Sequence, residues 1–116
     1  MDIEDKKLIA TFFKSSSGKE PVREWLKDLV SSDRKIVGVD IKTVEFGWPI
    51  GMPVCRPLGN GLYEVRSNLG DKSIARVIFS IERNTMILLH GFIKKTQKTP
   101  QKELELALSR KKEIYK

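Results

Sequence analysis

Five residues between Leu62 and Lys94 carry the side chains best suited to chemistry: Glu64, Arg66, Arg76, His90 and Lys94. They lie in runs where apolar β-formers recur with period two: Tyr63 and Val65, then Ala75, Val77, Phe79 and Ile81, then Ile87 and Leu89. Successive side chains of a strand point to opposite faces. Glu64 and Arg66 therefore oppose Tyr63 and Val65, Arg76 opposes Val77 and Phe79, and His90 shares a parity with Lys94. A sheet that buries its apolar face gathers these five on the other, open face. A planar guanidinium holds phosphate oxygens through two parallel hydrogen bonds, which makes the two arginines candidate anion clamps. His90 is the one histidine of the chain and the side chain that titrates most readily near neutral pH; Glu64 is the one carboxylate of the group. Each has a plainer reading as well. Arg66 can simply pair with Glu64 on a wet surface, and His90 can be a hydrogen-bonded structural residue inside an apolar strand.

The surrounding charge favours an anionic partner. Twenty-two Lys and Arg against 15 Asp and Glu give a net charge of +7, an argument about partners such as nucleic acid and not about fold. Lys94, Lys95 and Lys98 form a basic run that either binds phosphate or keeps a surface wet. The same composition excludes several site types. With a single cysteine, Cys55, and a single histidine, neither an intrachain disulfide nor a zinc site of ordinary type is expected. Cys55 reads as a passive core residue, and it becomes a nucleophile only if His90 reaches it. There is no GxGxxG or Walker loop and no GxSxG elbow, so no nucleotide cofactor is implied. The opening MDIEDKKL is charged where a signal peptide is apolar, and no apolar run approaches a membrane span. A single cytoplasmic domain over residues 1–116 is expected.

The elements that must position the candidates follow from spacing. Leu8 to Lys14 predicts a strand pairing with the later sheet. Pro21 suits the first position of a helix, and Val22, Trp25, Leu26, Leu29 and Val30 form its apolar stripe. Ser32 or Asp33 is the expected cap of a second helix, striped by Val37, Ile41 and Val44 and closed by Gly47. The Pro- and Gly-rich stretch to Gly61 reads as a loop with a short strand at Val54 to Leu58. Within it Trp48 either covers the end of the core or lines a groove with Arg56. Turn residues at 68–71 and 82–84 separate the three strands of a meander. Thr99 is the expected N-cap of a last helix with Pro100 at its first position. In that helix Leu104, Ala107, Leu108, Ile114 and Tyr115 share a stripe while Lys102, Glu103, Glu105, Arg110, Lys112 and Glu113 face water. The predicted architecture is α+β: a small antiparallel sheet, an N-terminal helical hairpin and a C-terminal helix.

This order of elements, together with YEVRS, ARVIF and ILLHGFIKKTQKTP, resembles the RelE/ParE toxin superfamily, and most closely its HigB-like, phage-derived branch. The resemblance runs from Thr11 to Lys112. It implies a RelE-like fold and the toxin of a type II toxin–antitoxin pair, partnered by a helix-turn-helix antitoxin. In the RelE and HigB branches the activity is endoribonuclease cleavage of mRNA on the ribosome, without a metal; in the ParE branch the same fold inhibits gyrase.

Matched to the family, Arg66, Arg76 and Lys94 fall where its functional basic residues stand, and Lys95, Lys98 and Arg56 become candidate RNA contacts. Metal-free RNA cleavage uses the adjacent 2′-hydroxyl as nucleophile, so the protein must align it, stabilise negative charge and manage two protons. The arginines suit the charge. Glu64 and His90 are the candidates for proton transfer, though Glu64 can merely orient Arg66. Tyr115 is offset from the C-terminal tyrosine that some RelE relatives use, and that role is not carried over. A gyrase inhibitor, or a non-catalytic antitoxin-binding or co-repressor module, is the competing expectation.

Overall fold

The computed structural model describes residues 5–95 and 98–115, so Thr96 and Gln97 of the late basic motif lie outside them. Alternating apolar residues form five strands: β1 (Ile9–Phe12), β2 (Cys55–Gly59), β3 (Leu62–Asn68), β4 (Ile74–Glu82) and β5 (Thr85–Lys94). Helical spacing forms α1 (Pro21–Asp28), α2 (Ser31–Gly47) and α3 (Gln101–Ile114). The strands make one sheet in the order β1-β5-β4-β3-β2. β2 to β5 are antiparallel, as expected, and β1 adds a parallel edge to β5, so the sheet is mixed. Parallel pairing needs a long crossover, and here everything between β1 and β5 supplies it. The architecture is α+β, and no helix among the described residues is long and apolar enough to cross a membrane.

The helical hairpin covers one face. Val22 of α1 and Val37, Ile41 and Val44 of α2 pack on Val65, Val77, Phe79, Met86 and Leu88. Trp25 lies so close to Gly91 that a Cβ there would run into the indole ring, which explains why the residue after His90 is glycine. Trp48 meets Tyr63 edge-on at 5.0 Å and covers the end of this core. α1 stops at Asp28, leaving Val30 exposed instead of on the stripe. Neither Ser32 nor Asp33 caps α2, which begins at Ser31 without a side-chain cap. Arg34 does the joining instead: its guanidinium donates to the carbonyls of Leu26 and Leu29 at 3.1 and 2.9 Å, satisfying acceptors that a helix end leaves open. The buried Glu45 of α2 holds the N-terminal strand, accepting Ala10 N–H at 2.8 Å and Lys6 Nζ at 3.0 Å.

The second face is not open, as the alternation alone predicts, because α3 lies on it. Ala107, with Leu104, Leu108 and Ile114, packs against Phe13, Leu62, Ile78, Leu89 and Phe92. β5 carries a bulge here: Ile78 pairs with His90 and Phe79 with Leu88, leaving Leu89 as the extra residue. Tyr115 falls beyond the end of α3 and off its stripe; it is exposed, and its hydroxyl donates to Glu82 at 2.6 Å.

Candidate functional site

The register of the sheet brings three of the candidates together. Arg66 of β3 stands directly opposite Arg76 of β4, whose other neighbour is Phe92 of β5. Two residues back along β3, Glu64 has Ile78 on one side and Arg56 of β2 on the other. Like charges directly opposite on neighbouring strands destabilise a sheet, so two arginines at one register position need compensation. Glu64 supplies it from within: it is fully buried, and its Oε1 accepts from Arg66 Nη1 at 3.1 Å. The plain pairing of Arg66 with Glu64 therefore exists, but inside the protein and not on a wet surface.

Thr99 completes the cluster. Its hydroxyl donates to Glu64 Oε2 at 2.7 Å, and its lone pair faces Arg76 Nη1 at 3.4 Å. α3 starts one residue later than predicted, so Pro100 takes the cap position and Thr99 is released to the sheet. The sequence reading missed this role because a threonine before Pro is also a good helix cap. Arg76 is wholly buried and its guanidinium sits 6.0 Å from the Phe92 ring centre. Burial, and then the nearby charges of Arg66 and Arg56, hold it below the ordinary arginine value, while Glu64 pulls it up. Arg66 is 8% exposed, the lip of an otherwise closed cluster.

Lys94 ends β5 opposite Ile74 on the arginine face, and Lys94, Lys95 and Lys98 are all exposed. Arg56 is half-buried beside Glu64. Chemically the arrangement can bind an anion at its lip and hold positive charge beneath it.

His90 belongs to a different group. Two strands from Glu64 in the same row, about 10 Å away at ordinary strand spacing, it faces α3. Its Nε2 lies 3.0 Å from Glu103 Oε1 and its Nδ1 3.3 Å from Arg110 Nη1, which also donates to the Leu89 carbonyl at the bulge. An arginine can only donate, so Nδ1 accepts and the ring proton sits on Nε2, given to Glu103. Both nitrogens are thereby engaged in holding α3. Burial lowers the His90 pKa against the pull of Glu103, which favours this neutral ring. Glu103 and Arg110, expected to face water, are turned inward; their spacing of seven, with Ala107 between them, was the signal available. Cys55 lies on the α1–α2 face, away from His90, and burial pushes its thiol up to about 11, the condition of an inert core residue.

No curated protein matches the chain. The family described as Phage derived protein Gp49-like (DUF891) matches residues 24–112, a span that holds α2, β2 to β5, most of α3 and every candidate residue named above. By that match the chain belongs to the phage-derived Gp49-like family, which is associated with RelE-type, toxin-like proteins.

Proposed function

We propose that the protein is a toxin that cleaves mRNA on the ribosome, with the RNA's own 2′-hydroxyl as nucleophile, and that a helix-turn-helix antitoxin restrains it. One observation carries the reading: two arginines face each other at a single register position, one bonded to the buried Glu64 carboxylate directly and the other through Thr99. Local rules disfavour such a pair, and sites that break local rules are where function concentrates. In this reading Arg66, with Arg56, Lys94, Lys95 and Lys98 around it, takes the phosphate. Arg76 is a positioning residue, a fixed positive charge under the lip, and Glu64 with Thr99 keeps both guanidiniums aimed. Preorganised charge of this kind acts on the negative charge that develops in the transition state. His90 holds α3 in place and Glu64 is buried with both oxygens engaged, so in this reading the protons pass through groups of the ribosome.

Primer extension on a defined mRNA, with and without programmed ribosomes, tests this. New 5′ ends are expected only with ribosomes, with Arg66→Ala slowing the cut on the order of 10²-fold. Burial of Arg76 and Glu64 favours one second reading, a binding protein whose arginines merely hold the fold. Absence of cuts from folded protein under every condition would select it, or the gyrase inhibitor, which a supercoiling assay separates.

A further inference from the structure

Between α3 and the β2–β3 hairpin lies a cavity of about 240 Å³. Four of its lining residues are leucines, Leu58 and Leu62 from the hairpin and Leu104 and Leu108 from the helix. Leu58 and Leu62 are each two residues along the same strand face from Arg56 and Glu64, and Gln101 follows Thr99 by two, so the cavity begins about 7 Å from the charged cluster. Its edge is polar, with Asn60, Gln101 and Glu105 around the mouth.

We propose that this cavity is the base-binding subsite for an RNA strand whose phosphate meets Arg56 and Arg66, and that it takes a base with an exocyclic amino group. The proposal rests on the RNA reading above. The leucines, packed together, give a flat ring an apolar surface to lie on, as apolar groups do for flipped bases. The volume is below that of pockets for larger ligands and suits a single ring system. The edge chooses among bases. Glu105 can only accept hydrogen bonds, whereas the Gln101 amide both donates and accepts. A carboxylate pairs with the amino group of cytosine, and an amide pairs with the amino group and ring nitrogen of adenine. Uracil has a carbonyl oxygen where cytosine has that amino group and offers Glu105 only its N3–H between two carbonyl oxygens, a poorer match. Gln101 Nε2 reaches Glu105 Oε1 at 3.4 Å, a long contact that keeps the two side chains on one edge. Cations flank the cavity: Arg56 stands two residues from the lining Leu58, and Lys111 Nζ lies 2.7 Å from the carbonyl of the lining Asn60. A nucleotide in a chain has a phosphate on either side of its base, and this spacing of charge suits that.

The test is binding of labelled oligo(A), oligo(C) and oligo(U) to the full chain at one fixed salt concentration, for wild type, Glu105→Ala and Gln101→Ala, with cleavage mapping run beside it. Glu105 and Gln101 are exposed, and each variant's melting curve confirms its fold. Wild type is expected to bind oligo(A) and oligo(C) about tenfold more tightly than oligo(U), a ratio that falls toward one in the variants. A wild type without base preference, or a preference that survives in both folded variants, overturns the subsite. The two readings fail separately. Cuts whose base preference is unchanged by Glu105→Ala would remove the subsite and leave the nuclease, whereas a preference in binding lost in the variants without any cuts would leave the subsite and remove the nuclease.

Discussion

Beneath α1 and α2 the sheet presents Val65, Val77, Phe79, Met86 and Leu88; beneath α3, on the same strands, it presents Glu64, Arg66 and Arg76 beside Leu62, Ile78 and Phe92. Both faces are buried, so depth does not distinguish them. The first is held by apolar contact, which costs nothing to bring out of water. The second takes charges out of water and returns the loss only through a few hydrogen bonds, a poor way to gain stability. The α1–α2 face thus builds the domain by apolar contact, whereas the charged cluster on the α3 face adds little net stability for what it costs to bury. It also assigns His90, Glu103 and Arg110, which dock α3 and so determine how the second face is covered.

The largest effect expected is on the charged face. Glu64→Ala leaves two buried arginines without their carboxylate and is expected to cost about 3–5 kcal/mol in urea unfolding. The combined variant Glu64→Leu, Arg66→Met, Arg76→Leu separates burial from charge: it is expected to be as stable as wild type or up to about 4 kcal/mol more stable, with cleavage and growth arrest lost. Should that variant unfold as easily as Glu64→Ala alone, the charges hold the fold and the contrast between faces is wrong.

On the apolar face Gly91→Ala forces a methyl into the Trp25 ring, and overpacking of this kind is expected to cost about 1–3 kcal/mol, read as a lower denaturation midpoint. Trp25 fluorescence should shift with it, while base preference in RNA binding stays as it was.

The smallest effect is one of pH. Folding lowers the His90 pKa from its ordinary 6.5, so the folded protein resists taking a proton that the unfolded chain accepts. The contribution is fully present above about 6.5 and is lost as pH falls toward the lowered folded value. Urea midpoints of wild type are expected to drop between pH 7.5 and pH 5 by more than those of His90→Gln. Equal slopes would mean that the ring is not the buried neutral group placed against Glu103 and Arg110.

Much of the domain was legible in alternation and helical spacing. Tyr63 to Ile81 read as strands because their apolar residues recur with period two, and Val37, Ile41 and Val44 read as one helix face; both patterns record local geometry directly. The same parity correctly placed Glu64, Arg66 and Arg76 on one face. Chain ends of elements were less legible. Pro100 and Thr99 suit the start of a helix in either of two registers, and the choice of the later one freed Thr99 for Glu64. Likewise Glu103 and Arg110 flank Ala107 at a spacing of seven, but a charged residue at the edge of an apolar stripe reads equally well as water-facing.

The strands and helices, their apolar faces and the company of a carboxylate with two arginines were thus written in the chain. These depend on residues near one another in the chain. Packing of distant segments settled the rest: β1 joins as a parallel edge, α3 lies on the second face, Arg76 is buried and not open, and His90 docks a helix. Each of those outcomes is a competition between distant segments for the same surface, and a period read along one segment holds no information about which other segment will cover it.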